Sequence, residues 1–317
     1  MRESIAAFYG KRFGLAIDPR RVIVTAGASG ALALLLPLLT DPRQGWLLPD
    51  PGYPSYRHFV SAFGCDVQVL PVDAAHHFQP TPSQIKEAWR SNTKACLLAT
   101  PSNPAGTCLQ PAVFEEIAGV VSDKRGHLIV DEIYQGVSPE GEPLPTMLSK
   151  TDDAFIVNSF SKYFGMTGWR LGWLIVPDQA VDPLIRIAQN LFFCPSVVAQ
   201  AAAVAAFREE AIEEADRRSL DLSQKRRLMS EGLEAIGFTK KNTHYITTSV
   251  SSSVQVAKIF SGVLKSHIYS FDKMDVSALM NIVWRYAPFR IFDNQIGIGN
   301  DRLHQVADQN RDNRNEL

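Results

Sequence analysis

A lysine and an arginine stand eight residues apart in a stretch that is otherwise built for a protein core. The stretch reads SFSKYFGMTGWRLGW over residues 159–173, and Lys162 and Arg170 are its only charges. Apolar runs flank it on both sides, and such runs are typical of buried strands. A buried lysine without a partner is costly. We therefore expect a ligand or a covalent bond to neutralise Lys162.

Further motifs follow predicted strands and carry groups that can bind a ligand. Gly27-Ala28-Ser29-Gly30 precedes a helix, whose free backbone N–H groups can hold an anion such as phosphate. Tyr53, in DPGYPSY, holds an aromatic ring in a rigid loop where it could stack on a flat ligand. Asn103, in TPSNPAG, is an amide between two prolines, and Asp131, in VDEIY, is a carboxylate at a strand end. Alone, each motif also fits an ordinary turn, packed loop or solvated strand end.

Together with Lys162 and Arg170, these features match the groups of one cofactor. A phosphate, a planar ring, a cationic ring nitrogen and an aldehyde would use all of them. Pyridoxal 5′-phosphate carries these four groups: a lysine forms a Schiff base with it, and an acidic residue pairs with its pyridinium nitrogen. The sequence therefore predicts a pyridoxal-phosphate site in which Lys162 becomes an imine.

Short apolar runs alternate with helical segments, and this pattern predicts the elements that position the site. Runs of consecutive apolar residues separated by helices favour a mostly parallel sheet covered on both faces, with ligands at the carboxyl ends of the strands. We expect strands at Val22–Ala26, Trp46–Pro49, Val67–Val72, Ala95–Thr100, His127–Asp131, Ala154–Asn158 and Leu171–Val176. We expect helices at Arg2–Tyr9, Ala28–Leu39, Tyr56–Phe63, Thr81–Ser91, Pro111–Ser122 and Ala199–Gly237. The last two strands are joined too briefly for a helical crossover, so the final strand should run antiparallel.

The composition is that of a globular protein and argues against nucleic-acid and membrane partners. The chain has 317 residues, of which 45% are hydrophobic and 21% charged, enough for a large domain and a smaller one. A formal net charge of −1 with dispersed Lys and Arg predicts neither a nucleic-acid nor a membrane partner. The apolar stretch Ala31–Leu39 is too short to span a bilayer. We expect a cytoplasmic protein with no metal site and with four buried thiols, Cys65, Cys96, Cys108 and Cys194.

Five motifs, taken in order, resemble those of the class I/II aminotransferases among the fold-type I pyridoxal-phosphate enzymes. They are TAGASGAL, DPGYPSY, TPSNPAG, VDEIY and SFSKYFGMTGWRLGW, and the resemblance covers roughly residues 1–237. It implies an α/β fold with a three-layer, mostly parallel seven-stranded sheet, like the large domain of aspartate aminotransferase, and a small C-terminal α/β domain. The corresponding regions are 1–17 for an N-terminal segment, 18–205 for the large domain, and 206–317 for a long helix and the small domain.

The resemblance implies a phosphate site. Backbone N–H groups of Ala28 and Ser29 would bind the phosphate, joined by the side chains of Ser159, Ser161 and Arg170. Arginine suits this role because its planar guanidinium can donate two hydrogen bonds to one phosphate.

The resemblance also implies roles around the cofactor ring. Tyr53 would stack on the ring, Asn103 and Tyr134 would hydrogen-bond its phenolic oxygen, and Asp131 would keep its nitrogen protonated. Lys162 would hold the cofactor and then carry a proton at the substrate's alpha carbon. The implied catalytic residues are Lys162, Asp131 and Tyr134, and the implied reaction is ping-pong transfer of an amino group between an L-amino acid and a 2-oxo acid. The implied assembly is a homodimer, with the stretch 191–195 near its interface.

Both ends depart from the family pattern. By the family pattern, the helix at Arg2–Tyr9 should already be under way where Met1 stands, so we expect a chain that is short at its N-terminus. After about residue 238 the pattern carrying the substrate-carboxylate arginine is unclear, and the candidates are Arg290, in PFRIF, and then Arg285. Three other functions therefore remain open: a carbon–sulfur lyase or cyclopropane synthase using the same Lys162 and Asp131, a truncated remnant without efficient turnover, and a cofactor-binding sensor.

Overall fold

The apolar runs of the sequence form the strands of one mixed sheet. The computed structural model describes residues 1–137 and 144–235, and within them all seven predicted strands are present, each within two residues of its expected bounds. The strands are β1 (Val22–Thr25), β2 (Gly45–Asp50), β3 (Asp66–Pro71), β4 (Thr93–Ala99), β5 (His127–Asp131), β6 (Phe155–Ser159) and β7 (Gly172–Ile175). The helices are α1 (Arg2–Phe13), α2 (Gly27–Leu39), α3 (Pro54–Ala62), α4 (Pro82–Ala88), α5 (Phe114–Asp123), α6 (Asp178–Leu191), α7 (Val197–Ala205) and α8 (Glu209–Ala235).

The strand order is β1-β7-β6-β5-β4-β2-β3. Strands β2 to β6 run parallel, while β7 is antiparallel to both β6 and β1, which confirms the predicted direction of the last strand. Ala99 pairs with Asp131, and Asp131 pairs with Val157. The carboxyl ends of β4, β5 and β6 therefore lie side by side, and the segments carrying Asn103, Asp131 and Lys162 leave the sheet at one edge.

The core has two halves, one on each face of the sheet, so the predicted three-layer architecture is confirmed. Alternate residues along one strand serve opposite halves: in β5, Leu128 and Val130 face one cluster and Ile129 faces the other. Helices α2, α3 and α6 pack on the Ile129 side, and α1, α4, α5, α7 and α8 on the opposite side. A sheet buried on both faces explains why its strands are apolar at consecutive positions.

Two helix predictions need correction. Helix α6 was not predicted, although Ala180, Val181 and Leu184 form its buried face. The single helix expected over Ala199–Gly237 is two helices, α7 and α8, with a break at residues 206–208. Phe207, in the break, packs against the rings of Phe8, Phe160 and Phe164. This tertiary contact ends α7 within a sequence whose local preference is helical throughout.

The structure also bears on the expectations about the cysteines, the C-terminal region, membrane spans and metal sites. All four cysteines are free, but only Cys65 and Cys96 are buried; Cys108 is half-buried and Cys194 is exposed, so the expectation of four buried thiols was wrong. Arg290, Arg285 and almost all of the predicted small C-terminal domain lie outside the described residues. Among the helices of the described chain, none has the length and apolar character needed to cross a bilayer. In the same residues, no group of three His, Cys, Asp or Glu side chains is placed to hold a metal ion.

Candidate active site

The amino end of α2 forms a cradle of backbone donors. The helix begins at Gly27 with no side-chain cap, so the N–H groups of its first turn, including those of Ala28 and Ser29, have no partner within the helix. Gly27 has a φ of +73°, a conformation that favours glycine. A Cβ added there would lie 3.0 Å from a guanidinium nitrogen of Arg170, so only glycine lets the two approach freely.

Arg170 lies beside this helix end. The residue follows a short 3-10 turn, has a left-handed backbone conformation with a φ of 52°, and donates from Nη1 to the carbonyl oxygen of Thr167 at 3.0 Å. Its side chain is otherwise exposed. A guanidinium next to free helix N–H groups makes a site for an anion.

Two serines complete the donors on this side. Ser159 ends β6 and Ser161 follows it, and their hydroxyl oxygens are 2.8 Å apart. The hydroxyl of Ser159 also accepts from the backbone N–H of Ser161 at 3.0 Å. The carbonyl of Ser161 accepts from the hydroxyl of Thr167 at 2.7 Å, which closes the loop that carries Lys162. The loop is thus held at both ends while the Lys162 side chain remains exposed.

Asp131 is a buried carboxylate at the carboxyl end of β5. Its Oδ2 accepts from the hydroxyl of Tyr56 at 2.6 Å, and its Oδ1 accepts from the backbone N–H of Ile133 at 2.9 Å. Burial raises the pKa of Asp131, whereas these two hydrogen bonds and the charge of Lys162 oppose the rise. Because the pKa remains raised, the partners present do not fully compensate the burial of the charge. A further positive charge near Asp131 would stabilise its ionised form.

Lys162 shows the opposite shift. The residue as a whole is exposed, yet desolvation by the surrounding protein lowers the pKa of its amine, and the positive charge of Arg170 lowers it further against the attraction of Asp131. The ammonium nitrogen lies 5.4 Å from the centre of the Tyr134 ring. A lowered pKa increases the fraction of neutral amine, which is the nucleophilic form.

Tyr134 and Asn103 share a side-chain hydrogen bond next to Lys162. Burial, with the negative charge of Asp131, raises the pKa of Tyr134 to about 12, so its hydroxyl stays protonated and can donate. Tyr53 is exposed, and its ring meets that of Tyr56 edge-on, with centroids 5.4 Å apart. The structure thus gathers the sequence-predicted ring residues at one edge of the sheet.

Sequence reasoning missed the role of Tyr56. Its position in DPGYPSY drew attention to an aromatic loop, but the residue is buried and its hydroxyl is bonded to Asp131. Burial and the neighbouring carboxylate raise the pKa of Tyr56 well above its ordinary value, so it donates to Asp131 as a neutral phenol. Nothing in the local pattern signals this bond, because the two residues are 75 positions apart.

The residues present fit pyridoxal 5′-phosphate. Backbone N–H groups, hydroxyls and a guanidinium converge at one end, where a Cβ on Gly27 would intrude. At the other end a buried carboxylate has a raised pKa and an amine has a lowered one. Phosphate, a protonated ring nitrogen and an aldehyde are the partners that these three groups select.

Comparisons with known proteins show which family the chain resembles. A family model described as aminotransferase class I and II matches residues 1–273, beyond residue 237, where we placed the limit of the resemblance. Valine–pyruvate aminotransferase of Mycobacterium tuberculosis is 38% identical over 241 residues, which cover 76% of this chain and 62% of that protein. Aspartate aminotransferase of Sulfurisphaera tokodaii is 33% identical over 242 residues, covering 74% of this chain and 59% of that protein.

Solved structures show the same likeness. The crystal structure of an aminotransferase from Mycobacterium tuberculosis matches with a TM-score of 0.74 at 37% identity, covering 77% of this chain and 63% of that one. Aspartate aminotransferase from Thermus thermophilus with maleate matches with a TM-score of 0.71 at 28% identity, covering 77% and 64%. The chain spans about three fifths of the length of the curated relatives it matches. On the family match and the identity to these relatives, the chain belongs to the class I and II aminotransferase family.

Proposed function

We propose that this protein is a pyridoxal-phosphate-dependent aminotransferase that moves an amino group between an L-amino acid and a 2-oxo acid. The observation that carries the proposal is the placement of a buried carboxylate, Asp131, and an amine, Lys162, at one sheet edge beside an anion cradle. Burial raises the pKa of Asp131 and lowers that of Lys162, in agreement with this placement. The named activities of the relatives, which include a valine–pyruvate aminotransferase, support amino-group transfer as the reaction.

The cofactor supplies an aldehyde that joins to amines and a cationic ring that withdraws electrons from the attached carbon atoms. This chain's residues would hold it at two ends. The N–H groups of Ala28 and Ser29, the hydroxyls of Ser159 and Ser161, and the Arg170 guanidinium would bind the phosphate. Asp131, kept ionised by Tyr56 and by its contact with the ring, would hold a proton on the ring nitrogen.

Lys162 would act on the reacting carbon, and three further residues would hold the cofactor ring. Lys162, with its lowered pKa, would take a proton from the substrate's alpha carbon and deliver it to the neighbouring cofactor carbon. Tyr134 and Asn103, already hydrogen-bonded to each other, would orient donors toward the phenolic oxygen of the ring, and Tyr53 would cover one ring face. The substrate-carboxylate group stays a prediction, with Arg290 as its first candidate outside the described residues.

A homodimer and a cytoplasmic location belong to the same proposal. Leu191, Phe193, Val197 and Val198 are exposed around the turn between α6 and α7, and Phe193 is 85% exposed. Apolar side chains grouped on a surface mark an interaction site. A second copy of the chain would cover them. The four free cysteines support a reducing compartment.

Borohydride reduction of the cofactor-loaded protein tests the assignment of Lys162. We expect a stable cofactor adduct on the peptide containing Lys162 by mass spectrometry, and none in Lys162→Ala. Lys150→Ala, at an exposed site away from the cradle, is the control and should behave as wild type. An adduct retained at full yield in Lys162→Ala would show that another group carries the cofactor.

Product analysis separates the reaction classes. Incubation with amino acids and 2-oxo acids should yield a new amino acid and a new 2-oxo acid in equal amounts. Release of ammonia without a second amino acid would indicate a lyase, and binding without either product would indicate a non-catalytic module.

Sedimentation of the wild type against Phe193→Asp tests the dimer: we expect the aspartate to shift the protein toward monomer, since it places a charge in the apolar group.

A further inference from the structure

The connection between β3 and α4 has an unusual backbone for a surface loop. His77 and Phe78 are consecutive non-glycine residues in the left-handed region, each with a φ of 55°. Asp73 fixes this turn: its Oδ1 accepts from the N–H groups of Ala75 and His76, and its carbonyl accepts from Phe78 at 2.6 Å. Such conformations persist where surrounding contacts impose them, and they concentrate near functional sites.

The turn places Gln79 inside the protein. Its side chain is 6% exposed, although the residue belongs to a polar connection in the sequence. Its amide nitrogen donates to the carbonyl of Thr107 at 2.8 Å and to the carbonyl of Ala99 at 3.1 Å. Both N–H bonds of the amide are therefore used, and both bind backbone.

These two carbonyls belong to residues on either side of the turn that carries Asn103. Ala99 is the last residue of β4, and Thr107 is where the chain returns from the turn. Within the turn, Ser102 donates to the carbonyl of Thr107 at 2.9 Å, and Gly106 donates to the carbonyl of Ser102 at 2.9 Å. Gln79, which lies 20 residues upstream of Ala99, thus adds hydrogen bonds that link the two ends of this turn.

Gln79 also faces the site. It lines one recess together with Tyr53, Tyr56, Ser102 and Asn103. We propose that Gln79 is a positioning residue that braces this turn, so that Asn103 keeps its place beside Tyr134 and donates to the cofactor's phenolic oxygen. The cofactor part of this inference rests on the proposed function. The brace part stands on the protein's own hydrogen bonds.

Gln79→Leu tests the inference because leucine fills a similar volume without the two donors. Gln79→Met is the second variant, with an unbranched side chain that keeps the original shape more closely. Gln68→Leu is the matched control. That glutamine is 2% exposed and donates to the Asn92 side chain at 2.9 Å near the amino ends of β2 and β4, away from the site.

Hydrogen exchange of the cofactor-free protein is the first measurement. We expect the amides of Ser102 and Gly106 to exchange roughly 5- to 100-fold faster in Gln79→Leu and Gln79→Met, the factor for two lost hydrogen bonds. In Gln68→Leu these two amides should keep the wild-type rate. Unchanged exchange in both Gln79 variants would overturn the brace, whatever the protein's function.

The second measurement is the pH at which the visible absorbance of bound cofactor changes. Loss of a well-placed donor to the phenolic oxygen disfavours the anionic form of that oxygen, so the midpoint should rise by about 0.5 to 1 pH unit in the Gln79 variants. The midpoint in Gln68→Leu should equal that of wild type. A wild-type-like midpoint in both Gln79 variants would overturn the positioning role alone. A wild-type protein that shows no reducible link to the cofactor would instead overturn the proposed function, and the positioning role with it.

Discussion

The phosphate end and the ring end of the candidate site are built from different kinds of groups. At the phosphate end, Ser29 and Arg170 are exposed, whereas Ser159 and Ser161 are buried, and each group contributes one of several donors. At the ring end, Asp131 and Tyr56 are buried and bonded to each other at 2.6 Å. Several donors to one phosphate act through their number, whereas a buried carboxylate acts through a charge state that each neighbour alters.

Cofactor binding and catalytic turnover should therefore depend on different ends of the site. Changes at the phosphate end should weaken cofactor binding and leave turnover at saturation nearly intact. Changes at the ring end should do the reverse. The following variants test this division, beginning with the largest expected effect.

Asp131→Ala should reduce turnover at saturating cofactor by at least about 100-fold, because nothing then holds a proton on the ring nitrogen. Cofactor affinity should fall much less, by roughly 10-fold, since the phosphate donors remain. Single-turnover kinetics and a cofactor titration measure the two effects. Asp123→Ala, at an exposed helix end, is the control. A loss of affinity without a loss of turnover would contradict the division.

Glu132, next to Asp131, is fully buried, and burial raises its pKa from the ordinary value to about 8. Between pH 4.5 and 8 the folded protein keeps a proton there that the unfolded chain has released, so stability should fall as pH rises through this window. The free energy of unfolding should decrease by up to about 1.4 kcal/mol per pH unit from this group.

Glu132→Gln should remove that slope. Urea unfolding of both proteins from pH 5 to 9 provides the measurement, and the stability difference, wild type minus variant, should decrease across the window. A difference that is constant with pH would show that Glu132 is ionised in the folded protein. Among the described residues, the phosphate end contains no buried carboxylate, so Arg170→Gln should leave the slope unchanged.

Arg170→Gln should weaken cofactor binding by roughly 10- to 100-fold, because a charge-assisted bond to phosphate is lost. Turnover should recover as the cofactor concentration is raised. Arg20→Gln, which breaks an exposed ion pair with Asp18, is the control for the loss of an arginine. A loss of turnover that persists at saturating cofactor would show that the phosphate end also contributes to the chemistry, which contradicts the division.

Tyr56→Phe should give the smallest effect. The lost bond helps keep Asp131 ionised, so its removal raises the pKa of Asp131 further. The acid limb of the turnover–pH profile should therefore move to higher pH, by up to about one unit, while turnover at alkaline pH changes little. Tyr53→Phe keeps its ring and should not move the profile. An acid limb shifted to lower pH would show that Tyr56 does not donate to Asp131.

The local pattern of the chain predicted most of the scaffold. Seven apolar runs became seven strands, and the short link before β7 correctly indicated its antiparallel direction. Alternation of strands and helices is encoded in neighbouring residues, so it can be read locally. Helix α6 was missed although its buried residues Ala180, Val181 and Leu184 recur at helical spacing, whereas the break before α8 coincides with the packing of Phe207 against distant rings, which no local pattern signals.

By itself, the sequence determined which chemical groups follow each strand and in what order, from Gly27 through Asp131 to Lys162 and Arg170. Tertiary structure alone decided their partners. The strand order places the segment after β2 near the end of β5, so that Tyr56 donates to Asp131, and the turn after β3 lets Gln79 brace the segment of Asn103. Burial at that edge then sets opposite pKa shifts at Asp131 and Lys162, because desolvation depends on every surrounding atom and no short motif encodes it.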